Sequence, residues 1–338
     1  MSSFYTSVER FANNILWRGY ENGKRFERKV KFSPTLFVAG RKDVESNYTS
    51  LTNGRPLSPI KMDTMREAKD WIEQYKDVHG MQIAGSTNYV AQFIQEKYPS
   101  EVKFDTSVIN IASFDIEVDI SNGYPDMNIA DKEITSIAYK SSKSNAYHLL
   151  GRKDYDKSKT LLDIDPENIQ FTKCETEEDL LRVFKRLWMD DYPDIVTGWN
   201  VAYFDIQYII TRMISLFGEE WVKDLSPWRG LRQTGREFFG KMQQTYEISG
   251  IAVIDYMDVF KKFGYKYGPQ ESWKLDHIAN VVLGEAKLDY SEYGTLTELY
   301  EQNPQLYLDY NLKDTWLIQR FEDETGLLSL VMTVAYGG

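Results

Sequence analysis

The chain has 338 residues, with 51 acidic and 40 basic side chains and a formal net charge of −11. This charge argues against a protein that coats duplex DNA, because a basic face supplies most of the affinity in that class. It leaves open a protein that contacts nucleic acid through bound metal ions. The sequence contains no run of about 18 apolar residues, no secretory signal, and a single cysteine, Cys174. These features favour a cytoplasmic protein that does not contact a membrane.

Residues 1–104 predict a small α+β domain. Two strand-like runs, residues 14–20 and 24–32, flank the turn Glu21-Asn22-Gly23, and Asn-Gly between such runs is a strong hairpin signal. Apolar residues recur at helical spacing in two later segments, residues 63–77 and 89–98. No side chain in this part of the sequence can be assigned to a chemical step.

From residue 105 onward, strands and helices follow one another. The strands are predicted over residues 108–118, 133–140, 146–150, 194–200 and 252–255. The helices are predicted over residues 176–188, 206–216, 273–283 and 306–321. A hairpin is expected over residues 235–252, with residues 238–241 at its turn. This order predicts a three-layer α/β domain, in which a mixed sheet is flanked by helices.

Two acidic residues, Asp115 and Glu117, lie two positions apart in the first of these strands. Side chains at i and i+2 of a strand share a face, so the two carboxylates project together. Like charges that are partly buried need a counter-charge, and hard divalent cations commonly supply it. The alternative is an acidic strand face that is simply exposed to solvent.

Two further segments carry acidic residues in informative positions. Asp205 lies at a strand-to-helix junction, where α/β proteins place groups that face ligands, although an isolated Asp there is more simply explained as a helix cap. Tyr310 and Asp314 are separated by one helical turn and therefore share a face. The alternative for this pair is a surface Asp beside a half-buried Tyr.

Taken together, the segments predict a site for two divalent ions, about 3.5–4 Å apart. The four carboxylates that could hold these ions are Asp115, Glu117, Asp205 and Asp314. One ion would activate an attacking water, and the other would stabilise the leaving 3′ oxygen in an in-line displacement at phosphorus. Tyr310, one turn from Asp314, is placed to orient that water.

The order of these segments resembles the three exonuclease motifs of the family B DNA polymerases. The motifs are Phe-Asp-Ile-Glu at 114–117, Asn-x-x-x-Phe-Asp at 200–205 and Tyr-x-x-x-Asp at 310–314. They are typical of the tyrosine-containing branch of the DEDD exonuclease superfamily. Segments at 197–200, 253–258 and 286–290, and the N-terminal block, resemble the family B polymerases of large tailed bacteriophages.

The resemblance implies a fold and an activity. Residues 105–326 would form a ribonuclease H-like exonuclease domain after an N-terminal domain over 1–104. The domain would remove 3′-terminal deoxynucleotides from single-stranded or frayed DNA with two Mg²⁺ or Mn²⁺ ions, as in proofreading. The hairpin at 235–252 would correspond to a strand-separating hairpin that keeps the primer end unpaired. Residues 327–338 would begin a segment that returns to the N-terminal domain.

The resemblance also implies residue roles. The four carboxylates would be metal ligands, and Tyr310 would orient the water. Lys287 would lie near the scissile phosphate, or else be a solvated surface charge. Asn200 and Phe204 would line the groove for the terminal nucleotides, with a turn Asn and a core Phe as the alternatives. Tyr124 would stack on a terminal base, or else be an ordinary exposed loop aromatic.

The sequence departs from the family in one respect. The Ser-Leu-Tyr-Pro-Ser and Asp-Thr-Asp motifs of the polymerase active site do not occur. We therefore expect a truncated polymerase, or one half of a split polymerase whose partner chain carries the polymerisation site. Two alternatives remain open: a binding subunit with little activity of its own, and a nuclease that acts on RNA.

Overall fold

The structure is a computed structural model that describes residues 3–39, 46–79, 81–238, 241–285 and 288–337. The chain forms two compact units, Met1–Phe104 and Asp105–Gly338. None of the helices in the described ranges is long and apolar enough to cross a membrane.

In its described residues, the first unit contains two antiparallel sheets and two helices. Its elements are β1 (Ser3–Phe11), β2 (Asn14–Glu21), β3 (Lys24–Lys31), β4 (Thr35–Ala39), β5 (Tyr48–Thr49), β6 (Pro56–Lys61), α1 (Met65–Tyr75), β7 (Ile83–Ala84) and α2 (Tyr89–Lys97). The strand orders are β1-β2-β3 and β5-β6-β4-β7. Asn22 and Gly23 both have positive φ, 51° and 75°, as the tight hairpin between β2 and β3 requires. The predicted hairpin and both predicted helices are confirmed.

The second unit contains eight strands and eight helices in its described residues. The strands are β8 (Ile111–Val118), β9 (Ile134–Ser141), β10 (Tyr147–Gly151), β11 (Ile169–Lys173), β12 (Ile195–Gly198), β13 (Leu231–Phe238), β14 (Lys241–Ile248) and β15 (Ala252–Asp255). The helices are α3 (Glu177–Asp190), α4 (Asp205–Phe217), α5 (Glu219–Val222), α6 (Tyr256–Phe263), α7 (Leu275–Leu283), α8 (Leu296–Gln302), α9 (Pro304–Thr325) and α10 (Leu327–Gly337).

Six strands form the central sheet, in the order β11-β10-β9-β8-β12-β15. β9 runs antiparallel to both of its neighbours, whereas β8, β12 and β15 are parallel, so the sheet is mixed. One face is covered by α3 and α4, whose apolar residues pack with Phe114, Ile116 and Val118. The other face is covered by α6, α7 and α9. The predicted mixed α/β fold is confirmed.

Several elements differ from the predicted ones. The hairpin β13–β14 begins at Leu231, four residues earlier than predicted, and residues 239–240 of its predicted turn lie outside the described residues. The sequence analysis missed α6 because it follows β15 without a linker, with Asp255 as its N-cap. It also missed α10, whose Leu327 and Leu328 are buried in the core of the second unit. The predicted return of residues 327–338 to the N-terminal domain stays a prediction.

A buried ion pair joins the two helices that cover the first face of the sheet. Arg212 of α4 donates to both carboxylate oxygens of Glu177, the first residue of α3, at 2.9 and 2.7 Å. Glu177 also accepts from the main chain of Ile134, where β9 begins, at 2.8 Å. The pair therefore fixes α3, α4 and β9 relative to one another.

We expect Arg212→Met to lower the free energy of unfolding by about 3–5 kcal/mol, because Glu177 would keep a buried charge without its cation. Adding Glu177→Gln should recover part of the loss. Arg182→Met, which breaks the exposed pair with Asp179, is the control and should cost less than about 1 kcal/mol. Urea unfolding measures all three. An equal cost for the two arginine variants would contradict the prediction.

Candidate functional site

Three carboxylates meet where α9 crosses β8. Asp115 and Glu117 project from β8, and Asp314 projects from α9. One oxygen from each carboxylate lies within 4.8 Å of the other two. Hard divalent cations such as Mg²⁺ and Mn²⁺ prefer oxygen ligands, so the donor set fits such an ion. The predicted shared face of Asp115 and Glu117 is confirmed, because Phe114, Ile116 and Val118 are buried on the opposite side of the strand.

The carboxylates repel one another strongly. Burial raises the pKa of Asp115 well above its ordinary value, and the charges of Asp205, Asp314 and Glu117 raise this pKa further. The side-chain amide of Asn311 acts in the opposite direction. Its Nδ2 donates to Oδ2 of Asp115 at 2.7 Å and to the main-chain oxygen of Asp115 at 3.2 Å. The group therefore carries excess negative charge, which a bound cation would neutralise.

Asp205 lies beside this group. It is the first residue of α4, is only 2% exposed, and accepts a hydrogen bond at Oδ1 from the main-chain N–H of Ile116 at 3.0 Å. The helix cap is Phe204, so the explanation of Asp205 as an N-cap is wrong. Burial raises the pKa of Asp205 well above its ordinary value, and Asp255 and Asp314 add to this effect. Its role as a fourth metal ligand stays a prediction.

Tyr310 lies on α9, one turn before Asp314. Its ring packs edge-on against Tyr290, with 5.5 Å between the ring centroids. Burial raises the pKa of Tyr310 far above its ordinary value, and the charges of Asp314 and Glu117 raise it further. These effects favour the neutral phenol. A neutral phenol can donate or accept a hydrogen bond.

The loop between β12 and α4 is held by Asp255, a residue to which the sequence analysis gave no role of its own. Oδ1 of Asp255 accepts from the main-chain N–H of Asn200 at 3.1 Å, and Oδ2 accepts from that of Ala202 at 3.0 Å. Asn200 has a φ of 63°, which is a left-handed conformation that Asn tolerates. This conformation agrees with the alternative explanation of Asn200 as a turn residue. Phe204 is half-buried and stacks on Tyr208, with 6.2 Å between the ring centroids.

The remaining two predicted site residues are Tyr124 and Lys287. Tyr124 is 92% exposed on the loop after β8, where it lines an open cleft of about 390 Å³ together with Thr295 and Glu298. Its contact with a base stays a prediction. Lys287 lies outside the described residues, so its predicted place near the phosphate stays a prediction as well.

The burial and charge repulsion of Asp115 lead to a prediction about the stability of the protein in the absence of metal. Folding raises the pKa of Asp115 above the value that this residue has in the unfolded chain, which is near 4. Asp115 therefore contributes stability below about pH 4, and this contribution is lost as the pH rises through the pKa of Asp115 in the folded protein. At pH 7.5 in EDTA, Asp115→Asn should therefore raise the Tm, by about 2–4 °C for each kcal/mol of repulsion that is relieved. The gain should shrink toward pH 4.

Thermal unfolding monitored by circular dichroism measures this effect. Asp70→Asn, on the exposed face of α1, removes the same charge and should leave the Tm unchanged. A lower Tm for Asp115→Asn at pH 7.5 would contradict the prediction.

Comparison with known proteins gives the family. A family model described as DNA polymerase family B, exonuclease domain, matches residues 70–278, which is more than half of the chain. The matched range includes Asp115, Glu117 and Asp205 and ends before Tyr310 and Asp314.

Individual relatives are similar over nearly the whole chain. The DNA-directed DNA polymerase of Enterobacteria phage T4 is 29% identical over 99% of this chain and 38% of its own length. That of Escherichia phage RB69 is 28% identical over 99% of this chain and 39% of its own length. The DNA polymerase catalytic subunit of Human herpesvirus 8 type P (isolate GK18) is 28% identical over 57% of this chain. The chain spans about two fifths of the length of the two phage relatives. It belongs to the family B DNA polymerases and contains their exonuclease domain.

Proposed function

We propose that this chain is a 3′→5′ exonuclease that removes nucleoside monophosphates from the 3′ ends of single-stranded or frayed DNA. The observation that carries the proposal is the convergence of Asp115, Glu117 and Asp314, whose oxygens lie within 4.8 Å of one another on β8 and α9. Three carboxylates in this arrangement suit a divalent ion, and two-ion sites are common in nucleases. The proposed class of reaction follows from the exonuclease domain of the family B DNA polymerases.

Each residue of the site has a role in this proposal. Asp115, Glu117 and Asp314 would hold Mg²⁺ or Mn²⁺, and Asp205 would complete the ligand set for two ions. When bound, such ions would lower the pKa of a water and offset the negative charge of the phosphate. Tyr310, kept neutral by its surroundings, donates a hydrogen bond that orients the attacking water.

The substrate would be held by residues at the edge of the same site. Asn200 and Phe204 lie in the loop that leads to Asp205, so they suit contacts with the terminal nucleotides. Tyr124 offers an exposed ring on which a base can stack without regard to sequence. We propose DNA as the substrate because the relatives are named DNA polymerases.

We further propose that the exonuclease acts beside a DNA polymerase, as its proofreading part, on primer–template DNA. The polymerase would lie in a second chain or in further domains, and the host cytoplasm would be its place of action. Co-purification of a second chain with polymerase activity tests this arrangement.

The central test is the release of mononucleotide from a 3′-labelled strand in the presence of Mg²⁺ or Mn²⁺. Asp115→Asn combined with Glu117→Gln should lower the rate at least ~100-fold, because metal binding contributes several kcal/mol to such reactions and 1.36 kcal/mol corresponds to tenfold. Asp70→Asn combined with Glu73→Gln on α1 removes two exposed acidic charges and should retain the wild-type rate. Unchanged release by the first variant would refute the proposal, and preference for an RNA strand would refute its choice of substrate.

Tyr310→Phe tests the orientation of the water. Loss of one well-placed hydrogen-bond donor should lower kcat about 100-fold, whereas the concentration of Mn²⁺ that gives half-maximal rate should stay the same. Tyr155→Phe removes a hydroxyl that contacts another part of α9 and is the matched control. A kcat equal to that of the wild type would contradict the role of Tyr310.

A further inference from the structure

The side-chain amide of Asn311 contacts Asp115, one of the candidate metal ligands. Asn311 follows Tyr310 on α9 and is fully buried. Its Nδ2 donates to Oδ2 of Asp115 at 2.7 Å and to the main-chain oxygen of the same residue at 3.2 Å. Both partners can only accept from an amide, so the hydrogen bonds themselves determine which way the side chain points.

The other end of the same amide has no hydrogen bond. Oδ1 of Asn311 is buried and has no partner among the residues that the structure describes. Burying an unsatisfied carbonyl costs stability, and the buried neighbours of Asn311 on α9 include the apolar Leu308 and Leu312. A polar residue at position 311 is therefore unfavourable for packing alone, and its contact with Asp115 needs a separate explanation.

Helix α9 has other hydrogen bonds to the sheet. The hydroxyls of Tyr307 and Thr135 form a hydrogen bond of 2.6 Å, and Thr315 donates to the main-chain oxygen of Ala138 at 3.3 Å. These bonds join α9 to β9 on both sides of Asn311. The contact of Asn311 is instead directed at β8, at the residue whose carboxylate belongs to the metal-binding group.

We propose that Asn311 is a positioning residue, which holds the carboxylate of Asp115 in the orientation that binds the divalent ions. The proposal rests on the metal site of the proposed function. A free Asp side chain samples several rotamers. The hydrogen bond to the main-chain oxygen of Asp115 holds the amide of Asn311 in place, and the hydrogen bond from this amide to Oδ2 selects one rotamer of the carboxylate. Side chains that orient metal ligands in this way typically contribute 10–100-fold to metal affinity or activity.

The experiment measures Mn²⁺ binding to the full chain by electron paramagnetic resonance, without DNA. Asn311→Ala and Asn311→Leu both remove the donor, but they change the side-chain volume in opposite directions. Both should weaken Mn²⁺ binding by about 10–100-fold. In the exonuclease assay, both should need correspondingly more Mn²⁺ for half-maximal rate, while the rate at saturating Mn²⁺ should recover toward that of the wild type.

Tyr155→Phe is the control, because it removes a buried hydrogen bond to Asp309 on α9 without touching a carboxylate of the site. It should bind Mn²⁺ like the wild type, whatever it does to the Tm. Equal weakening by Tyr155→Phe and the Asn311 variants would overturn the proposal, since the effect would then come from disturbance of the helix.

The remaining outcomes are also decisive. Wild-type Mn²⁺ affinity in a folded Asn311 variant would overturn the positioning role while leaving the exonuclease proposal intact. Failure of both variants to fold would overturn it too, because Asn311 would then be needed to attach α9. A wild-type chain that neither binds Mn²⁺ nor releases mononucleotides would instead refute the proposed function itself.

Discussion

Electrostatic repulsion between carboxylates is the constraint on which the second unit depends. The fold holds Asp115, Glu117 and Asp314 together and buries Asp205 beside them. Burial first, and the neighbouring negative charges second, raise the pKa values of Asp115 and Asp205, so the ionised forms of these residues oppose the arrangement. Apolar packing on both faces of the central sheet must supply the free energy that keeps them close. A site that is costly for stability and rich in oxygen ligands is the expected signature of metal-dependent chemistry.

Helix α9 connects the carboxylate site to the rest of the fold. One side of the helix presents Tyr310 and Asp314 to the site, and Asn311 to Asp115. Another side places Asp309 where Tyr155, Thr160 and Leu161 donate to it, so the helix is also attached to the loop after β10. The position of the carboxylates is thus set by contacts well outside the site.

Much of this arrangement could be predicted from the sequence, and the limits have physical reasons. The shared faces of Asp115 with Glu117 and of Tyr310 with Asp314 follow from the periods of a strand and a helix. Asp205 contacts β8, and Asp255 contacts the β12–α4 loop. Both contacts join residues that are far apart in sequence, so no local sequence pattern predicts them. The hydrogen bond between Asn311 and Asp115 could not be predicted from the sequence for the same reason. The helix α6 was missed because Asp255 both ends a strand and caps the helix.

The division of the carboxylate group between β8 and α9 has a consequence for the newly made protein. Asp115 leaves the ribosome about 200 residues before Asp314, which at 5–20 residues per second is a delay of about 10–40 s. During that interval a nascent chain carries Asp115 and Glu117 without Asp314 and cannot complete the group. Completion of the group must wait for α9 to be synthesised and to dock, so the three carboxylates come together only late in the synthesis of each chain.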